Sequence, residues 1–185
     1  MLFVTINSEE RSRLLFNIDD TVVHKNYGAG VVTEFRMLKR DGGKKRYCCI
    51  ELVEDRGVLM IAEDQMDDEV LRPALTDFRL ISRVLNKTPE ELPDNHQSRQ
   101  LTLKSKLRSG KARQIVQVLR DLSWREQTGH LTPTDSRLKE AAFEKIVQEL
   151  ALGPKLAADT ARARLEEMLD KAINTHLKDA KIVAS

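Results

Sequence analysis

The chain has 185 residues, 41% hydrophobic and 32% charged, enough apolar matter for one or two small packed domains under a heavily charged surface. Aromatic residues make up only 4%, so aliphatic side chains must build the core, and no run is long and apolar enough to span a bilayer. The formal charge of +2 hides an asymmetry: residues 1–75 hold 11 Lys/Arg against 14 Asp/Glu, net −3, and the rest hold 20 against 15, net +5, which points to two parts with different partners.

In chain order, residues 1–15 form a leader without clear structural pattern. Its apolar start, Met1 to Ile6, is short and runs at once into Glu9, Glu10, Arg11 and Arg13, unlike a signal peptide. β patterning begins at Phe16. Asp20 to His24 reads as a short strand, Asn26-Tyr27-Gly28-Ala29-Gly30 as a turn, and Val31 to Met37 as a second strand. Arg40-Asp41-Gly42-Gly43-Lys44 is hairpin-loop chemistry. Arg46 to Val53 returns as a third strand, Glu54 to Gly57 turns, Val58 to Ala62 is a fourth strand, and Leu71 to Leu75 a fifth. A half-open barrel of SH3 or Tudor type and a plain three-stranded meander packed on helices both fit. The number of short strands joined by tight turns favours the barrel.

After Pro73 the hydrophobic period changes from two to about 3.6. Leu80, Ile81, Val84 and Leu85 predict a helix over Asp77 to Lys87, broken by Thr88 to Pro93. A second helix is expected from Asn95 to Arg108, stopping at Ser109-Gly110. A third carries Ile115, Val118, Leu119 and Leu122 and ends near Gly129. Thr132-Pro133 opens the fourth with a cap and a first-turn proline. Its row Leu138, Ala142, Ile146 and Leu150 lies on one face, and Gly153-Pro154 ends it. The fifth bears Leu165, Met168, Leu169, Ala172 and Ile173. The expected class is therefore α+β with segregated parts: a small β-barrel followed by an all-helical domain of about five helices.

Catalytic patterns are missing from the sequence. Gly28-Ala29-Gly30 lacks the third glycine and following helix of a phosphate-binding loop. His24, His96, His130 and His176 stand on unrelated elements, with no metal-ligand spacing to Cys or carboxylate, so neither a metal site nor a cofactor is expected. His24 reads as a satisfied or exposed sheet histidine. Cys48 and Cys49, the only cysteines, make no disulfide framework and suit a cytoplasmic protein. On a strand they point to opposite faces, one to the core and one to the surface. The acidic run Glu63, Asp64, Asp67, Asp68 and Glu69 reads as a solvated loop. Trp124 is expected to be partly buried. The informative stretch is 99–125, with Arg99, Lys104, Lys106, Arg108, Lys111, Arg113, Arg120 and Arg125 against one acid, Asp121. Two readings stand: a solvated basic face, or a surface for nucleic-acid phosphates, helped by the free N–H groups where the third helix starts.

The order of several short motifs resembles the CarD family of bacterial transcription regulators. Phe16-Asn17-Ile18-Asp19-Asp20-Thr21-Val22-Val23-His24 followed by Tyr27-Gly28-Ala29-Gly30-Val31-Val32 looks like the family's opening, and Leu71-Arg72-Pro73 like the close of its β-module. Lys106-Leu107-Arg108-Ser109-Gly110, then Val116 and Val118-Leu119-Arg120-Asp121-Leu122, resembles its helical segment, and Glu149-Leu150-Ala151 the end of its fourth helix. The resemblance implies a Tudor-like RNA polymerase interaction domain over 16–75 that binds the polymerase β subunit. It also implies a helical domain over 76–178 that contacts promoter DNA, with little sequence specificity, at the upstream edge of the bubble and modulates open-complex stability. Residues 179–185 would be a tail. Expected DNA contacts are Asn95, His96, Arg99, Lys104, Arg108, Lys111 and Arg113. Polymerase docking is expected at an exposed strand edge with Arg36, Leu38 and Met60. No enzyme activity, small-molecule substrate or membrane partner is expected. The alternative is a scaffold whose basic face binds an acidic protein. The chain departs from the family pattern at Asn95-His96, where many members carry an Asn-Trp minor-groove wedge, at Ile61-Ala62 in place of Val-Pro, and at Asp19-Asp20 in place of Gly-Asp.

Overall fold

The computed structural model describes residues 16–40, 43–53, 57–67 and 69–183. The leader, the hairpin tip at 41–42, most of the expected 54–57 turn, Asp68 and the last two residues of the expected tail lie outside the described residues.

Five antiparallel strands form one sheet: β1 (Thr21–His24), β2 (Gly28–Arg40), β3 (Gly43–Leu52), β4 (Val58–Ala62) and β5 (Leu71–Pro73), in the spatial order β4-β3-β2-β1-β5. No ladder joins β4 to β5 among the described residues, which leaves a half-open, Tudor-like β-module. Five helices follow: α1 (Arg79–Leu85), α2 (His96–Arg108), α3 (Ala112–Thr128), α4 (Pro133–Leu152) and α5 (Ala158–Val183). Residues 179–183, expected in a tail, continue α5.

The sheet alternates as period two requires. Val32, Ile50 and Leu59 make one row across β2, β3 and β4, and Phe35, Cys48 and Ile61 make the next. All six belong to the inner core, with Val22, Leu52, Met66 and Leu71. The expected turn at Asn26 to Gly30 is shorter and starts earlier. The turn is Lys25 to Tyr27, and the glycines open β2. Gly30 serves close approach: a β-carbon there would meet the Glu51 carbonyl oxygen at 2.6 Å and Ile50 Cγ2 at 2.7 Å. β5 is shorter than expected, ending at Pro73, which has no N–H to extend a ladder.

Cys49 does not reach the surface as alternation with Cys48 would have it. It points away from the inner core, yet it is as buried as Cys48. Its cross-strand partners Glu34 and Met60 are longer side chains flanking a small one in an interior strand. Part of the acidic run is likewise not a free loop. Glu63 and Asp64, in a 3-10 turn, bridge to Arg46 and Lys45 at 3.0 Å each.

Helix α4 begins as its sequence prescribes. Thr132 and Asp135 form a reciprocal capping box, with proline in the first turn. The bundle core gathers Ile81, Leu85, Leu103, Leu107, Val116, Leu119, Leu122, Ile146, Leu150 and Leu165. Trp124 is half-buried, edge-on to His176 of α5 with ring centroids 6.3 Å apart.

Candidate functional site

The two parts meet along β1, β5 and the end of α4. Val23, Ala29 and Ala74 form a small apolar cluster that Leu152 packs against. Beside it Arg72 of β5 makes a forked ion pair with Glu149 of α4, at 3.0 Å from Nη1 and 2.5 Å from Nη2. Arg72 Nε donates to the Gly110 carbonyl at 2.7 Å, and the Leu75 N–H donates to Glu149 at 3.3 Å. One arginine thus ties a strand, the α2–α3 turn and α4 together. Gly110 has φ +69°, and a β-carbon on it would stand 2.9 Å from Lys25 Cα, so both its conformation and its neighbour exclude a side chain.

The basic stretch divides sharply once folded. Arg99 is 2% exposed, which removes it from the expected DNA contacts. Its guanidinium bridges to Asp135 at 2.9 Å and donates to the Pro93 and Asp94 carbonyls at 2.8 Å. Burial acts to raise the Asp135 carboxyl, but hydrogen bonds from Arg99 and Thr132 outweigh it and hold the group below its usual value. Arg120 is buried against Asp121 and donates to the Val84 carbonyl. Lys106 reaches Glu90 at 2.7 Å, and the Glu90 N–H donates to Asp121 at 3.0 Å. These charges pin the α1–α2 connection onto α3. Burial pushes the Asp121 carboxyl up, against the pull of the Glu90 N–H, Arg120 and Lys106.

What remains outward is smaller. Lys104, Arg108, Lys111 and Arg113 are exposed, and none makes an ion pair among the described residues. Asn95 caps α2, accepting from the Gln97 and Ser98 N–H groups at 3.0 Å, and His96 follows it, exposed, at the first position of α2. Lys111 stands at the N-cap of α3 with no side-chain cap, so the first N–H groups of α3 are open to an anion.

On the sheet, pairing puts Glu34 beside Cys49 and Met60, Arg36 beside Tyr47 and Ala62, and Leu38 beside Lys45. Directly paired residues share a face, so Arg36, Leu38 and Met60 lie together on the outer face. Arg36 holds Glu34 at 2.5 Å and lowers its carboxyl pKa by that hydrogen bond. β2 is interior in strand order, but its ladder with β1 ends at Val31. Its flank from Thr33 to Arg40 has no strand partner on that side among the described residues.

His24 is buried and satisfied. Its Nδ1 accepts from the Asn26 N–H at 3.1 Å and the Tyr27 N–H at 3.3 Å. Among the described residues no cluster of His, Cys, Asp or Glu could hold a metal ion, and no helix is long and apolar enough to cross a membrane.

Fold and site together define a β-module with an open outer face, locked onto a helical bundle that presents a cationic turn. Residues 16–75 match the family model of the CarD-like/TRCF RID domain, and residues 80–170 match that of the CarD C-terminal domain. The chain belongs to the CarD family and is a transcription regulator of the RNA polymerase-interacting kind.

Proposed function

We propose that the β-module, residues 16–75, docks on the polymerase β subunit while the helical part, residues 76–178, rests on promoter DNA at the upstream edge of the bubble and alters open-complex stability. Docking uses the outer sheet face at Arg36, Leu38 and Met60, beside the open flank of β2 to which a partner strand can add. DNA contact uses Asn95, His96, Lys104, Arg108, Lys111 and Arg113. The chain performs no catalytic step. It acts in the cytoplasm as a tethered adaptor.

The observation that carries this reading is the partition of charge. Within 99–125 the inward cations are neutralised by Asp135, Asp121 and Glu90, whereas those around the α2–α3 turn are left exposed and without ion pairs among the described residues. Such a set suits phosphates, which position a protein without reading sequence. Docking on polymerase supplies high effective concentration, so weak DNA affinity suffices. His96 sits where a wedge would enter, but imidazole offers less apolar area than indole for unstacking a base step.

Salt titration of binding to forked promoter DNA, with and without polymerase, tests the DNA role. A steep negative log–log slope is expected; no binding at low salt in either case would sink it. His96→Trp is expected to tighten binding to the bubble-edge fork more than to plain duplex, and an equal effect on both would remove the wedge position.

A further inference from the structure

We infer that the DNA-contact surface is composite: Lys25, from the turn after β1, and Lys145, on α4, join Arg108 and Lys111 around Gly110 to hold the backbone phosphates of duplex DNA across the junction of sheet and helices. This rests on the DNA-contact reading above and extends it to residues of the β-module and α4.

The placement starts from Gly110. Lys25 Cα and Cβ lie against it, each 2.9 Å from where its β-carbon would be. Two shallow clefts open on either side. Lys25, Arg72, Gly110 and Lys111 line one; Lys25, Gly110, Ile115, Lys145 and Glu149 line the other. Lys25 therefore stands at the meeting point, with Lys111 to one side and Lys145 to the other. Glu69 also lines the first cleft, and Glu149 in the second is committed to Arg72.

None of Lys25, Arg108, Lys111 and Lys145 makes an ion pair among the described residues. Elsewhere in the bundle, cations on the same helices do find acids: Lys106 with Glu90 and Lys139 with Glu126. Four unpaired cations from three separate elements repel one another unless an anion joins them. Their floor is fixed, since Arg72 holds the Gly110 carbonyl and Lys25 N donates to the Val70 carbonyl at 3.1 Å. They are distributed on both sides of Gly110, so a linear run of negative charge satisfies them better than a single anion. Duplex phosphates form such a run, one charge per roughly 1.7 Å of helix axis.

The test uses the full chain and a labelled forked duplex, with anisotropy measured over a salt series. Lys25→Ala and Lys145→Ala are each expected to make the log–log slope shallower by about one, and the double variant by about two. Lys25→Arg should keep the wild-type slope, and Lys178→Ala, at the far end of α5, should leave it unchanged. Circular dichroism checks that each variant is folded. Wild-type slopes in folded Lys25→Ala and Lys145→Ala overturn the composite surface while leaving DNA contact by the α2–α3 turn in place. Loss in Lys178→Ala equal to theirs also overturns it, because the effect is then one of net charge. A wild-type chain that ignores DNA at low salt defeats both this inference and the reading beneath it.

Discussion

Replacing Arg72 by Met removes a side chain that joins β5, the α2–α3 turn and α4. Among the described residues Glu149 would keep only the Leu75 N–H at 3.3 Å, with its side chain 3% exposed. Breaking a buried ion pair from one side costs about 3–5 kcal/mol, and the surviving N–H places this case at about 3 kcal/mol. Glu149→Gln is gentler. Arg72 would retain the Gly110 and Pro73 carbonyls and some solvent, for a cost of about 1–2 kcal/mol. The double change Arg72→Met with Glu149→Leu removes both charges and should recover much of the loss, because an apolar pair of similar volume often replaces a buried ion pair without net cost. Urea unfolding supplies the double-mutant cycle. Two local probes add a second readout: Trp124, the only tryptophan, reports the helices, and exposure of Cys48 and Cys49 reports the sheet. Their transitions should coincide in the wild type and separate in Arg72→Met. Single variants that each cost under about 1 kcal/mol and simply add in the double would refute the clamp.

Arg99→Ala should destabilise the chain by about 3–5 kcal/mol, since it strands Asp135, yet leave the salt slope of DNA binding unchanged under conditions where it is folded; a shallower slope would return Arg99 to the DNA surface. Burial, and then neighbouring Lys25, hold His24 below its ordinary 6.5, so its stabilising contribution is full above that pH and is lost as pH falls through the lower folded value. Thermal midpoints from pH 7.5 to 5 should fall less steeply in His24→Asn, whose amide oxygen can accept from the same N–H groups, and identical slopes would count against this assignment. Burial, then Cys49 and Glu63, push the Cys48 thiol up to about 11, and burial also raises Cys49. Neither should react with an aromatic disulfide reagent at pH 8 until the chain unfolds; labelling at the rate of a free thiol in the native state would contradict their burial.

Features encoded by neighbours in sequence were legible. Val58–Ala62 is a short unbroken apolar run bounded by turn signals, which reads as a strand, and Thr132-Pro133 with Asp135 writes the start of α4 in four residues. Features that depend on distant partners were not. Arg99 joins an acid 36 positions away, although its spacing with Leu103 and Leu107, four residues each, already placed it on the buried face of α2. Asp121 lies between Val118 and Leu122 on the apolar face of an amphipathic helix, a position that foretells a buried, paired carboxylate. Gly28 to Gly30 carry turn composition, but Gly30 is required by the approach of Glu51 and Ile50. Lys25 stood alone in a turn, and nothing local could bring Gly110 beside it. Both cysteines are buried because β3 is interior, flanked by β2 and β4, a fact of strand order that alternation alone does not contain.

We propose that the outer sheet face holds this chain on RNA polymerase. Binding of the purified chain to the isolated polymerase β subunit, compared with Arg36→Glu and Met60→Asp variants, tests it most directly. The wild type should bind, and both variants should bind at least tenfold more weakly while keeping their circular dichroism spectra, a loss of about 1.4 kcal/mol or more. A folded wild-type chain that does not bind the β subunit, or variants that bind it as tightly as the wild type, would rule out docking through this face.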